Sequence, residues 1–211
     1  MVDSLEAVAS EEVAAVAVVS NQIDRIKIFT KELSYIKNDK YKNYLKEIIP
    51  LIPEYFFHVG ASSTGKYHPA FSNGEGGLLR HTKLAIRIAY ELLENQSLNP
   101  FTNDEKDAIL VALLLHDSIK YGFEKEEYTR FDHPILASEF VKNNRFNLSD
   151  ESVELISDLI ITHMGPWTTN KFGEKILDEP VSKLQKFVHM CDYLSSKKFL
   201  NVEFLNDDIK Y

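Results

Sequence analysis

Residues 113–120 read LLLHDSIK, and this stretch places a histidine and an aspartate directly behind an apolar helix. The leucines indicate a buried position. A buried carboxylate without a partner has a high cost in free energy, so Asp117 needs a compensating group opposite it. The rest of the chain must supply that group.

The composition is that of an ordinary globular protein. The chain has 211 residues, of which 44% are hydrophobic, a length that suits one domain with an added helical segment. The formal net charge is -8, whereas proteins that bind long nucleic acids usually carry a basic surface. We therefore expect a small anionic ligand, held at a local positive site, rather than a long nucleic acid.

Cysteine content and hydropathy bear on the compartment. Cys191 is the only cysteine, so no internal disulfide can form and a reducing environment is expected. The Ala/Val run near the start follows acidic residues and is too short to span a bilayer. These features predict a cytoplasmic protein with no membrane partner.

Apolar periodicity and helix-end signals predict an all-α fold. The predicted helices cover residues 1–37, 40–51, 78–95, 102–116, 133–143, 149–165 and 180–197. No segment alternates convincingly as a strand. We expect a helical segment at residues 1–50 and the main domain at residues 51–211.

The segment 60–77 is predicted to be a long loop and not a helix, because it contains five of the eight glycines. Long ordered loops in compact domains are more often functional than not. Residues 60–67 nearly match a phosphate-binding loop, but Tyr67 replaces the hydroxyl residue that would hold magnesium. No strand precedes the segment, so we reject that assignment and expect a loop that faces a substrate.

Polar side chains share the apolar faces of four predicted helices. Helical spacing places His81, His116 and His163 on inward faces near helix ends, and Asp192 follows an apolar stripe at steps of four. Imidazoles and carboxylates are ligands for divalent metals, so one bound cation would satisfy these groups and stabilise Asp117. A set of hydrogen-bonded polar core residues is the alternative.

These residues resemble the pattern of the HD-domain metal-dependent phosphohydrolases. That pattern is a histidine on one helix, a His-Asp pair that ends a later helix, and a distant aspartate. The matching residues are His81 in GGLLRHT, His116-Asp117 in LLLHDSIK and Asp192 in VHMCDYL. The resemblance spans roughly residues 55–200 and implies an HD-domain helical bundle with the metal site between helices, preceded by N-terminal helices.

Some members of this family carry two further histidines that bind a second metal. His133 in FDHP and His163 in ITHMG stand at the matching places. The chain looks most similar to the HD domain of bacterial 3′–5′ exoribonucleases, which share the GGLLxHT stretch. Stand-alone HD proteins of tailed phages look similar too, with a segment like GKYHPAF. The nuclease relatives carry a separate nucleic-acid-binding domain, and we expect no room for one in this chain beyond its N-terminal helices.

The resemblance implies a site for one or two divalent cations, with Asp117 as a catalytic residue that bridges them. A mixed histidine and carboxylate set favours Mn, Fe, Co, Ni or Zn over Mg, which prefers oxygen ligands. One cation would take His81, His116 and Asp192, and the other would take His133 and His163.

Phosphate recognition needs positive groups beside the metals. Lys120 follows the His-Asp pair and is the first candidate for a catalytic role, although it could equally be a solvated lysine. Lys66, Tyr67 and His68 of the glycine-rich loop are candidates for substrate binding. Trp167 could stack on a base, but packing is at least as common for an aromatic residue in a loop.

The predicted activity is therefore divalent-metal-dependent phosphohydrolysis of a nucleotide or a short oligonucleotide. Two alternatives stay open: a 3′–5′ exonuclease on single-stranded nucleic acid, and a non-catalytic module that binds a nucleotide or a partner through a retained metal site. The N-terminal helices could mediate homo-oligomer formation. His189 could orient a metal ligand or simply pack.

Overall fold

A computed structural model of the protein describes residues 24–66, 68–97 and 100–210. Most of the first predicted helix therefore lies outside the described residues, as does Tyr67. The described part of that helix is helical at residues 24–28 and, after a turn, continues as α1 (Thr30–Tyr35).

The described chain is a bundle of helices, which confirms the all-α prediction. The further α-helices are α2 (Asp39–Ile48), α3 (Gly77–Glu94), α4 (Asn103–Leu115), α5 (His133–Asn143), α6 (Asp150–Ile161) and α7 (Lys183–Ser195). Short 3₁₀ helices cover Ile49–Leu51, Glu54–Phe57 and Ala70–Ser72. The sequence did not predict the small antiparallel hairpin of β1 (Phe204–Leu205) and β2 (Asp208–Ile209).

Helix α4 forms the centre of the bundle. Its residues from Asp107 to Leu115 are all buried, and it packs against α3, α6 and α7. Helix α3 also packs against α7, and α5 packs against α6. The polar residues that directly follow α4 therefore enter the protein interior at a point that several helix ends surround.

Hydrogen-bonded caps fix where the helices of the site begin. Thr102 and Glu105 form a capping box at the start of α4, where the sequence predicts a helix from residue 102. Ser182 forms one with Gln185 at the start of α7. Such caps satisfy backbone N–H groups that have no partner within the helix. The cap at Ser182 starts α7 at Lys183, three residues later than the predicted start at residue 180.

Helix α6 is shorter than predicted. It ends at Ile161, and residues 162–166 form turns with Gly165 in the left-handed region at a φ of 65°. His163 consequently lies in a turn just beyond the helix.

The segment before residue 51 shares its core with the rest of the protein. Ile36, Tyr41 and Leu45 belong to the same buried cluster as the residues of α4. Asp107 of α4 also accepts hydrogen bonds from the backbone N–H of Asn38 at 2.7 Å. The division of the chain at residue 50 stays a prediction. In the described part of the chain, no helix is long and apolar enough to cross a membrane.

Candidate metal centre

Side chains from five helix ends meet at one point in the described structure. His81 comes from α3, His133 begins α5, and Asp192 lies in α7. His116 and Asp117 directly follow α4, and His163 follows α6 by two residues. All are buried except Asp192, whose side chain keeps 17% of its surface exposed.

One group of ligand atoms surrounds Oδ2 of Asp117. His81 Nε2 lies 3.5 Å from this oxygen and 2.9 Å from Oδ1 of Asp192. His116 Nε2 lies 3.4 Å from each of the same two oxygens. The two imidazoles and the two carboxylates therefore face a common centre.

A second group surrounds the other oxygen of the same carboxylate. His133 Nε2 lies 3.1 Å from Asp117 Oδ1, and His163 Nε2 lies 3.6 Å from it. The two Nε2 atoms are 3.1 Å apart. Asp117 thus joins two adjacent groups, and each group has a spacing that could hold a cation.

Backbone carbonyls determine which nitrogen of each histidine carries the proton. The Nδ1 atom of His116 donates to the carbonyl of Leu113 at 2.6 Å. The Nδ1 atom of His133 donates to the carbonyl of Arg130 at 2.6 Å. His163 Nδ1 donates to Ile160 O at 2.7 Å. Because a carbonyl only accepts, Nδ1 must bear the hydrogen, and in a neutral imidazole Nε2 then presents a lone pair.

Ser195 orients His81 in the same way. Its hydroxyl donates to the carbonyl of Asp192 at 2.7 Å, so its oxygen accepts from His81 Nδ1 at 3.0 Å. The Nε2 atom of His81 is then also a lone-pair donor. No feature of the sequence had identified Ser195.

When the imidazoles are neutral, these lone pairs therefore point at one another. A donor that does reach the cluster, the ammonium group of Lys120, pairs with Asp117 Oδ2. Among the described residues, His81 Nε2, His116 Nε2 and Asp117 Oδ1 have no hydrogen-bond partner, although all are buried. Buried polar atoms without partners are costly, and lone pairs about 3 Å apart repel. Cations between these atoms would remove both costs, so the residues fit divalent metal ions.

Burial and neighbouring charges shift the pKa values within the cluster. Burial lowers the pKa of His81 and His133. Burial alone would raise the pKa of Asp117, but the charges of Lys120 and His116 outweigh it and hold this pKa well below its usual range. Burial lowers the pKa of His116 as well, yet Asp117 prevails and raises it to about 10.

Lys120 lies at the edge of the cluster. Its ammonium group pairs with Oδ2 of Asp117, and its side chain is 12% exposed. It lines a pocket of about 320 Å³ that also exposes His133, His163 and Asp192. A ligand in this pocket would meet the positive charge of Lys120 and the ligand cluster together.

The substrate-binding candidates of the glycine-rich loop differ in their position relative to the pocket. His68 lines the pocket and packs edge-on against His81, with ring centroids 5.2 Å apart. Burial and the neighbouring His81 and Lys120 lower the pKa of His68 to about 3, so its ring is neutral. Lys66 is exposed and is not among the described residues that line the pocket. Tyr67 lies outside the described residues.

An aromatic pair borders the pocket. Trp167, 51% exposed, stacks on Tyr193 with ring centroids 5.9 Å apart and an angle of 20° between the rings. The ammonium group of Lys197 lies 3.3 Å from the centroid of Tyr193. Tyr193 was missed in the sequence, although it follows His189 by one helical turn and directly follows Asp192.

His189 supports the turn that carries His163. Its Nδ1 atom donates to the carbonyl of His163 at 2.7 Å, and its ring packs against Gly165. His58 lies outside the cluster, where it pairs with Glu54 and Glu75.

Arg130 is a further residue that sequence reasoning missed. Its side chain lines the pocket, but its guanidinium group pairs with Asp132 and Glu126. Its main contribution to the cluster is the carbonyl that orients His133.

Comparison with known proteins identifies one family. The model of the HD domain matches residues 78–197, which is more than half of the chain. The matched span contains every histidine and aspartate of the cluster. No curated protein and no solved structure matches the chain significantly.

Proposed function

The chain belongs to the HD domain family, whose members are generally metal-dependent hydrolases, and from this premise we propose that it hydrolyses a phosphoester of a nucleotide or short oligonucleotide. One observation carries the proposal: buried lone pairs of imidazoles and carboxylates converge around the two oxygens of Asp117. A pocket of about 320 Å³, lined in part by Lys120, opens onto this point.

The ligand set divides into two parts that share Asp117. The first would use the remaining ligands His81, His116 and Asp192, and the second would use His133 and His163. Divalent ions bound there would supply positive charge to phosphoryl oxygens and acidify water at neutral pH. The mixed set favours Mn, Fe, Co, Ni or Zn over Mg.

Other residues of the pocket would bind and orient the substrate. Lys120 adds positive charge where a phosphoryl oxygen would lie, while it also neutralises part of the charge of Asp117. The exposed ring of Trp167, backed by Tyr193, offers a surface for a nucleobase. The net charge of -8 makes a long nucleic acid unfavourable as the main ligand.

A substrate screen tests the proposal. Metal-free protein would be reloaded with Mn, Co, Ni, Zn or Mg and incubated with nucleoside monophosphates and short oligonucleotides. We expect turnover with at least one metal, and a loss of kcat/KM of more than about 100-fold in Asp117→Asn, which removes the shared ligand. Asp39→Asn, an exposed aspartate of α2, is the matched control and should leave turnover unchanged.

The same screen decides between the proposal and its alternatives. Turnover that increases with strand length and falls steeply with salt would favour the exonuclease. Binding without turnover, for every metal and ester, would favour the non-catalytic module.

A further inference from the structure

We propose that a pocket lined by Phe131, Lys171, Phe172 and Ile176 binds a second aromatic base, so that the substrate carries a nucleoside on each side of the phosphate that is cleaved. This inference rests on the proposed function, because it assigns the substrate class of the same site. We call this cavity the Phe172 pocket; Thr129, Asp132 and Asn170 complete its lining.

The Phe172 pocket adjoins the pocket that opens onto the ligand cluster. It measures about 510 Å³ and shares Thr129 and Phe131 with the pocket of about 320 Å³ that holds the ligand cluster. This central pocket is also lined by Lys120 and His133, so the residues that the two pockets share lie in the same short segment as the ligand His133.

A second flanking cavity, the Trp167 pocket, adjoins the central pocket on a different set of residues. It measures about 490 Å³, and its described lining is His68, Met164, Trp167, Ser196 and Lys197. All of these except Lys197 also line the central pocket. The described linings of the Phe172 and Trp167 pockets have no residue in common, so these two cavities adjoin the central pocket at different residues. We call the three adjoining cavities together the trough.

Each end of the trough combines an aromatic ring with a lysine. At one end Trp167 stacks on Tyr193, and the ammonium group of Lys197 lies over that tyrosine. At the other end the ammonium group of Lys171 lies 5.1 Å from the ring centroid of Phe172. Aromatic rings stack on nucleobases regardless of which base it is, and lysines attract the attached phosphates.

Phe172 is held in an exposed position by an ordered turn. Its ring is 76% exposed. The side-chain oxygen of Asn170 accepts hydrogen bonds from the backbone N–H of Phe172 at 2.9 Å and of Glu174 at 3.1 Å. Gly173 adopts a φ of 83°, which closes the turn. The protein therefore presents this ring at the trough instead of burying it, which suits stacking on a ligand.

The trough has the form expected for a phosphodiester between two nucleosides. A mononucleotide with its base on Trp167 and its phosphate at the metal centre would leave the Phe172 pocket without an occupant. In the reaction, the water oxygen forms a bond to phosphorus and the ester bond to one nucleoside breaks. The proton of the water passes to the leaving oxygen, which gives a nucleotide and a nucleoside.

The test compares a dinucleotide with methyl esters of nucleoside 3′- and 5′-phosphates, which lack the second base but keep the phosphodiester. We expect the wild-type protein, loaded with its active metal, to cleave the dinucleotide with a kcat/KM at least about tenfold higher. Phe172→Ala should lower kcat/KM for the dinucleotide by about tenfold and leave the methyl esters unchanged. Phe199→Ala, an equally exposed ring outside the described linings, should alter neither.

Binding provides a readout that does not depend on turnover. Calorimetry in the presence of a chelator gives the dissociation constant of the dinucleotide, and Phe172→Ala should raise it by about tenfold. Unchanged binding in this variant would overturn the inference. So would equal cleavage of dinucleotide and methyl esters, an outcome that leaves the phosphohydrolase itself intact. Failure to cleave any ester would instead contradict the proposed function, while the binding result would still decide on the Phe172 pocket.

Discussion

Hydrogen bonds from Nδ1 determine what the histidines of the cluster can bind. His116, His133 and His163 each donate from Nδ1 to the carbonyl three residues earlier. This local geometry turns each Nε2 lone pair inward. Helical spacing predicted that His116 and His163 would face the interior, and the family resemblance implied His133 as a ligand. The tautomers could not be predicted, because they depend on where the helix ends place nearby carbonyls.

Ser195 gives a prediction for His81. In Ser195→Ala the Nδ1–H of His81 loses its acceptor, so the imidazole is less well oriented. We expect metal affinity to fall by about 10–100-fold, the usual effect of removing a hydrogen bond that orients a metal ligand. Titration of metal-free protein with Mn²⁺ or Zn²⁺ measures this. Ser157→Ala, a buried serine of α6, is the control; an equal loss there would contradict a specific role for Ser195.

Metal binding should depend on pH. Burial lowers the pKa of His116, but Asp117 outweighs burial and raises it to about 10, so this imidazole is protonated at neutral pH before a metal binds. The metal must displace that proton. Affinity should therefore rise by about tenfold per pH unit between about pH 6 and 8. Calorimetry in buffers of different ionisation enthalpy should show proton release, and a pH-independent affinity would contradict the prediction.

At the scale of elements, helix starts were easier to predict than the turns that follow them. The capping box at Thr102 and Glu105 is a local pattern, and it marked the start of α4 correctly. The predicted end of α6 at residue 165 was wrong, because Gly165-Pro166 ends a series of turns that follows the helix. The ordered turn around Phe172 depends on hydrogen bonds from Asn170, which no periodicity reveals.

Gly165 links the turn after α6 to the candidate metal centre. Its φ is 65°, and an added Cβ would lie 2.2 Å from the ring of His189. Gly165→Ala should therefore move His189, disturb the carbonyl of His163 and lower both stability and metal affinity. Gly74 has a similar φ of 67°, but an added Cβ there would meet open space, so Gly74→Ala is the control.

The control variant separates backbone strain from the steric clash. Chemical denaturation should show a loss of about 1–2 kcal/mol for Gly74→Ala, the cost of a left-handed non-glycine residue, and a larger loss for Gly165→Ala. Equal losses in stability and in metal affinity would show that the contact with His189 does not matter.

At the scale of the whole molecule, the C-terminal hairpin is attached through a buried lysine. Lys83 of α3 is 1% exposed, and its ammonium group contacts the carbonyl of Ile28 and the carboxylates of Asp208 and Glu32. It therefore connects the start of the described chain, the first ligand helix and β2. The hairpin escaped the sequence prediction because strands of two residues show no alternation.

Asp208→Asn tests this connection. The variant leaves the buried charge of Lys83 with weaker compensation, and the free energy of unfolding should fall by about 1–3 kcal/mol. Asp178→Asn breaks an exposed pair with Lys175 and should change stability by less than about 0.5 kcal/mol. Thermal or denaturant unfolding of both variants measures the difference, and equal stabilities would contradict the role of Lys83.

The most direct measurement is anomalous diffraction from crystals of the protein loaded with Mn²⁺ or Zn²⁺, together with the metal content of the same sample. We predict one or two ions per chain, bound by the Nε2 atoms of the four cluster histidines and by the carboxylates of Asp117 and Asp192. Ions bound elsewhere, or a metal-treated protein that retains none, would contradict the metal centre and the activity proposed for it.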